Sequence, residues 1–110
     1  MAPTTLLGQK TVTTPKGRVT LDGYPLKISQ MLAQLPGVFS IERVSLATPA
    51  AVIKAKKAIK DAFVNQIENK GFSLVEVLSM CPTYWGKSPV KACKWIEDEM
   101  VKEFPLGKIK

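Results

Sequence analysis

Cys81 and Cys93 are the only thiols in the chain, and it contains no histidine at all. Eleven residues separate them, a spacing that matches no zinc or iron–sulfur ligand pattern, and no imidazole is present to complete a ligand set. Without histidine the commonest general base is also missing, so any chemistry is expected to be completed by groups outside these residues. No metal site is expected. Cys81 follows a candidate strand, which is where open α/β sheets place ligands. With no partner to ligate or activate it, a loop-shaping role is the favoured reading. Tyr84 and Trp85 lie just beyond it; both residue types are enriched at protein interfaces, and packing over the last helix is the competing reading. A third feature is basic. Lys54, Lys56, Lys57 and Lys60 crowd one helical segment, as a solvated helix face or as a surface for an acidic partner.

These groups would be carried on few elements. Residues 1–25 are rich in Thr, Gly and Pro, with a turn at Thr13-Thr14-Pro15-Lys16-Gly17, and read as an extended or loop segment. Residues 26–110 read as a partial α/β unit. Ile28, Met31, Leu32 and Leu35 share a helical face that Pro36-Gly37 ends, and Met31 and Met100 are expected in the core. Val38 to Leu46 reads as a strand, interrupted by Glu42 and Arg43, so that one end should be exposed. Thr48 and Pro49 open a long helix. Its stripe of Val52, Ala55, Ile59, Ala62, Phe63, Gln66 and Ile67 should face a core, Lys57 and Asp61 are spaced as an ion pair, and Gly71 should supply the left-handed stop. Phe72 to Leu78 is a buried strand, parallel to the first if the three form a βαβ unit. Ser88-Pro89 caps a final helix with Ala92, Cys93, Ile96, Met100 and Phe104 inward, and Lys108 to Lys110 is a tail.

The chain has 110 residues, of which 45% are hydrophobic, and sixteen basic against nine acidic residues give a net charge of +7. That suits one small globular domain at most. No stretch is apolar enough to span a bilayer and no signal segment opens the chain, so a cytoplasmic location is expected. The charge alone could serve nucleic acid, but no aromatic-and-basic binding motif accompanies it. Two strands are fewer than the four to six or so that α/β sheets usually carry. Either a fragment or a small subunit that completes another protein's sheet is expected, because open edges need cover.

The run Gly71-Phe72-Ser73-Leu74-Val75-Glu76-Val77-Leu78-Ser79-Met80-Cys81-Pro82-Thr83-Tyr84-Trp85-Gly86 resembles the C-terminal part of the β subunits of 2-oxoacid:ferredoxin oxidoreductases of the 2-oxoglutarate and branched-chain type. Ser88-Pro89-Val90, Ala92, Trp95 and Phe104-Pro105-Leu106-Gly107 extend the likeness. So do Ala2-Pro3-Thr4-Thr5, Gly8-Gln9-Lys10-Thr11, Gly17-Arg18 and Ala55-Lys56-Lys57-Ala58-Ile59. The resemblance implies a subunit within a larger thiamine-diphosphate-binding fold. The complete enzyme would oxidatively decarboxylate a 2-oxoacid to an acyl-coenzyme A and pass electrons through iron–sulfur clusters to ferredoxin. That family holds thiamine diphosphate and Mg²⁺ through a Gly-Asp-Gly motif and an Asn-containing loop. Neither occurs here; the only Asp-Gly pair is Asp22-Gly23. Met1 would correspond to the residue just after the diphosphate-loop glycines, and the chain is expected to bind no cofactor and to be inactive alone. Its partners would be the rest of the β subunit and the other oxidoreductase subunits. Thr4 and Thr5 would lie at the edge of the cofactor pocket, and the lysine cluster could face ferredoxin. Lys87 and Cys93 depart from the family pattern, which puts the substrate class in doubt. The competing function is a small non-catalytic module that docks through its basic helix and the Trp85 loop.

Overall fold

The computed structural model describes all residues, 1–110. A β-strand, Val38–Ser45 (β1), is followed by a long helix, Pro49–Ile67 (α2), and a second strand, Phe72–Leu78 (β2). A short helix, Ile28–Leu32 (α1), precedes them. After β2 come one helical turn, Pro82–Trp85 (α3), and a helix that begins as Pro89–Trp95 (α4). α4 runs on through a wide π turn, Ile96–Met100, into Val101–Glu103, and a two-residue strand, Gly107–Lys108 (β3), ends the order. The sheet order is β2-β1-β3. β1 and β2 are parallel, in register from Ser40 opposite Ser73 to Ser45 opposite Leu78, so the expected βαβ unit is present. β3 pairs antiparallel to β1, with Gly107 opposite Arg43. The sheet is therefore mixed, and the residues expected to be a tail are partly strand. No helix is long and apolar enough to cross a membrane.

The local signals act as their chemistry requires. Thr48 Oγ1 accepts from the Ala51 amide at 3.1 Å, and Ser88 Oγ accepts from the Lys91 amide at 3.3 Å, each satisfying an early helix donor ahead of a proline. The left-handed residue after α2 is Asn69 (φ 52°) rather than Gly71. Gly71 is needed for a different reason: at φ 124° a Cβ there would stand 2.9 Å from the Gly37 carbonyl oxygen, where the turn before β1 meets the start of β2.

α2 covers one face of the sheet, packing Ala55 and Ala58 on Val44, Val75 and Val77. On the other face Leu78 joins Ile96, Met100 and Phe104 from the last helix. Ala92 is buried on that helix and Cys93 only half so, because the next residue along a helix stands about 100° further round its axis, toward the rim of the packed face. Arg43, expected near an exposed strand end, is 1% exposed on that face. Its Nε donates to Glu76 Oε2 at 2.8 Å, Nη1 to the Pro105 carbonyl at 3.0 Å and Nη2 to Gln30 Oε1 at 2.7 Å, and Phe104 stacks on it at 5.2 Å. Ser29 donates to the same Glu76 oxygen. This polar cluster explains why α1 turns Ser29 inward and leaves Met31 exposed, contrary to the apolar face expected there.

The remaining part of α2's stripe is uncovered. Phe63 is 68% and Ile67 78% exposed, since the sheet ends at β2 before it reaches them. The molecule is thin: its extents are 47 × 32 × 19 Å and its radius of gyration is 15.2 Å, against about 13 Å for a self-contained domain of this length. Its accessible surface of 7096 Å² likewise exceeds the roughly 6,000 Å² expected for a compact monomer of its mass.

Removing one member of a buried ion pair leaves the other charge uncompensated. Arg43→Ala is expected to lower unfolding free energy by about 3 kcal/mol. Arg43→Ala with Glu76→Ala should cost less than the two single changes summed, as read by urea denaturation followed by circular dichroism. Strict additivity would show that the pair is not coupled.

Candidate functional site

Residues 1–25 contribute no buried apolar side chain to the core, and Arg18 organises them. Arg18 is 5% exposed, and its guanidinium donates to main-chain carbonyls: Nη1 to Thr5 at 2.7 Å and Pro3 at 3.1 Å, Nε to Gly23 at 2.8 Å and Nη2 to Tyr24 at 3.1 Å. One side chain thus gathers two stretches of irregular backbone that no ladder could pair. The segment closes by hydrogen bonds between Gly8 and Arg18 (2.8 Å) and between Arg18 and Gln9 (3.2 Å). Gly17 packs so tightly on Gly8 that a Cβ would meet its carbonyl oxygen at 2.8 Å. Thr11 and Thr14 share a 2.7 Å hydroxyl hydrogen bond, and Thr14 donates to the Gln9 carbonyl at 3.1 Å.

This ordered segment docks on the loop that leaves the carboxyl end of β2. The Val12 amide donates to the Tyr84 carbonyl at 3.1 Å, and the Tyr84 hydroxyl is hydrogen-bonded to Thr13 Oγ1. The Met1 ammonium donates to the same phenol at 2.5 Å. These contacts, led by the ammonium, hold the Tyr84 phenol below its ordinary range. Cys81 caps α3, where its carbonyl accepts from the Trp85 amide at 2.9 Å, and Gly86 closes the turn in the left-handed region at φ 64°.

Between the two segments lies a cavity of about 340 Å³, and Thr4, Thr5, Cys81, Tyr84 and Trp85 all line it. The residues singled out from the sequence at opposite ends of the chain are thus brought together. Trp85 also packs on the apolar cluster of Leu78, Ile96, Met100 and Phe104. The wall contains Gln9 as well, which the sequence reading did not select as a site residue. Gln9 is 3% exposed; its Oε1 accepts from the Leu6 amide at 2.9 Å, while Nε2 is buried without an acceptor. A buried donor left without a partner is uncommon, and its position in a Gly-Gln pair beside the segment's tightest turn was the one signal available.

Hydroxyls, a carboxamide, a thiol and thioether and indole surfaces make a wall of neutral groups, with no carboxylate or ammonium side chain among them. Such a wall suits the uncharged part of an organic ligand. It does not fit a magnesium-bound diphosphate, because it has no carboxylate and its one amide oxygen, Gln9 Oε1, is already taken by the Leu6 amide. No group of three or more His, Cys, Asp or Glu side chains is arranged to hold a metal ion. Cys81 is exposed and Cys93 is half-buried, with its Sγ 3.5 Å from Met80 Sδ.

The basic patch is separate. Lys57 Nζ meets Asp61 Oδ2 at 2.5 Å, the ion pair its spacing anticipated. That hydrogen bond raises the Lys57 pKa and lowers that of Asp61, so Lys54, Lys56 and Lys60 carry the cluster's uncompensated charge.

The geometry defines an open α/β module with a cavity at the carboxyl end of a parallel strand. By sequence it is homologous to a segment of 2-oxoacid oxidoreductase subunits. It is 47% identical over 107 residues to the ketoisovalerate oxidoreductase subunits VorA of Methanothermobacter marburgensis and Methanothermobacter thermautotrophicus, covering 96% of this chain and 22% of theirs. It is 28% identical over 108 residues to the 2-oxoglutarate synthase subunit KorB of Methanocaldococcus jannaschii, covering 92% of this chain and 35% of that one. The chain therefore spans about a fifth of the length of the VorA relatives. No protein-family model matches it, and no solved structure matches it.

Arg18→Met is expected to free residues 1–25 while β1, α2 and β2 remain folded. Limited trypsin digestion should then cut first at Lys10 and Lys16. Equal resistance of the variant and the parent chain would show that the carbonyl cluster does not hold the segment.

Proposed function

We propose that the chain works as part of a 2-oxoacid:ferredoxin oxidoreductase, as a portion of the thiamine-diphosphate-binding, β-type subunit. In the complete enzyme a 2-oxoacid would be oxidatively decarboxylated to an acyl-coenzyme A, with electrons passed through iron–sulfur clusters to ferredoxin. The observation that carries this reading is the match to VorA. It takes in 96% of the chain, so Thr5, Gln9, Cys81, Tyr84 and Trp85 all fall inside it and the cavity they build belongs to the shared part. Higher identity to ketoisovalerate oxidoreductase subunits than to 2-oxoglutarate synthase subunits favours a branched-chain 2-oxoacid as substrate.

In this reading the neutral cavity forms one edge of the cofactor pocket, with Thr4, Thr5 and Gln9 beside the organic part of thiamine diphosphate. The groups that hold the diphosphate and Mg²⁺ come from another stretch of polypeptide, and the chain is inactive alone. When bound, the cofactor supplies carbanion stabilisation; this chain's residues contribute shape, and the thin module contributes sheet to a larger core. A second reading, a non-catalytic docking module, has the exposed face of α2 in its favour.

Calorimetry of the purified chain with thiamine diphosphate and Mg²⁺ is expected to show no binding. The tagged chain purified from its source cells should bring down oxidoreductase subunits and 2-oxoacid-dependent reduction of a viologen dye. Stoichiometric cofactor binding by the chain alone, or purification free of any oxidoreductase polypeptide, would overturn the reading.

A further inference from the structure

The cavity is only one of the concave surfaces, and the apolar face of α2 lies elsewhere. Where α2 overhangs the free side of the sheet, a groove of about 320 Å³ separates it from β2, walled by Ile59, Phe63, Gln66, Ser73 and Val75 among others. Ile59, Phe63 and Ile67 repeat every four residues along α2 and are 42%, 68% and 78% exposed. A stripe of this kind ordinarily faces a sheet; here the sheet stops one strand short of it.

The neighbouring edge is equally bare. β2 presents seven residues, Phe72–Leu78, with neither Pro nor Lys among them. Its one charge, Glu76, is engaged with Arg43. Free edges are usually blunted by proline, inward charge, a bulge or a very short outer strand. β3 is such a short strand at the opposite edge, whereas the one inward charge of β2, Glu76, is paired with Arg43 and β2 has no proline or short outer strand to blunt it.

Resting on the functional reading above, we propose that the β2 edge and the groove form one docking surface. Its occupant is a β-strand from the polypeptide that supplies the rest of the oxidoreductase subunit. That strand extends the sheet beyond β2 and places an apolar side chain between Phe63 and Val75. Two observations select this occupant. Most of the VorA relatives' length lies outside the matched region, so the same strand and helix are embedded there in a much longer chain. Lys56 and Lys60 each precede a groove residue, Ile59 and Phe63, by three positions, which puts cations on the rim and calls for acidic residues facing them. A second copy would instead set these lysines against each other, on a chain that already carries a net charge of +7.

The test uses the full chain with benzoylphenylalanine replacing Phe63, irradiated in an extract of the source cells, with crosslinked peptides identified by mass spectrometry. A parallel sample carries the same group at Leu21, which is 94% exposed and on another element. The expected result is a crosslink from position 63, and not from 21, to a strand segment of an oxidoreductase polypeptide. Phe63→Asp with Ile67→Asp should reduce capture of that polypeptide by about tenfold or more without lowering the thermal midpoint. Crosslinks from position 63 only to a second copy, only to unrelated proteins, or to nothing would each overturn the docking surface. If position 21 or an affinity tag captures the oxidoreductase polypeptide while position 63 does not, the surface is wrong and the functional reading stands. If none of them captures it, both fail.

Discussion

The Arg43 guanidinium sits in the middle strand, closed off from solvent, and the arrangement around it follows from the need to satisfy a buried cation. Its four partners come from three places: the Glu76 carboxylate on β2, the Gln30 carboxamide on α1, and the Phe104 ring and Pro105 carbonyl at the end of the last helix. Taking such a charge out of water is costly unless most of its donors are used. That requirement aligns the two parallel strands, since Arg43 and Glu76 are register partners. It also draws α1 and the chain end onto the same face, where Ser29 completes the carboxylate's contacts. A hydrophobic contact would tolerate a slipped register better than this pair, because a one-residue shift would turn Arg43 onto the α2 face.

A second guanidinium solves a different problem. Arg18 has no carboxylate; it bonds the carbonyls of a segment whose buried residues are all polar. The result is a rigid loop laid against the carboxyl end of β2, and the cavity is the space left between them. The two arginines divide the labour: Arg43 holds the sheet to its helices, and Arg18 holds the wall of the cavity that residues 1–25 supply. With homology to 2-oxoacid oxidoreductase subunits across both parts, sheet and wall belong to one shared module.

The thinness of the molecule connects site and surface. Only eighteen of the 110 residues are buried, and the apolar side chains left outside lie mostly along residues 1–26 and on α2. A core this small gives a modest margin of stability, so a neighbour that covers Phe63 and Ile67 would stabilise the fold as well as complete the sheet. The neutral cavity lies at the carboxyl end of the same strand whose edge is bare.

Local chemistry was legible in the residues themselves. The caps at Thr48 and Ser88, both strands, the long helix and its Lys57–Asp61 pair need only short-range rules, because each depends on neighbours within a turn. The deficit of sheet was legible too, since strand count is a property of the chain. What the sequence left undecided were the long-range pairings. Arg43 read as an interruption because nothing in its vicinity announces Glu76, Gln30 and Pro105, and burial of a charge depends on partners far away in the chain. The stripe of α2 read as core because periodicity reports an apolar face and not what meets it. Thr4, Thr5, Gln9 and Cys81 became one site only when Arg18 folded the first segment back onto the end of β2. The residue types were given by composition, but their juxtaposition is a tertiary fact, set by which buried donors could find acceptors.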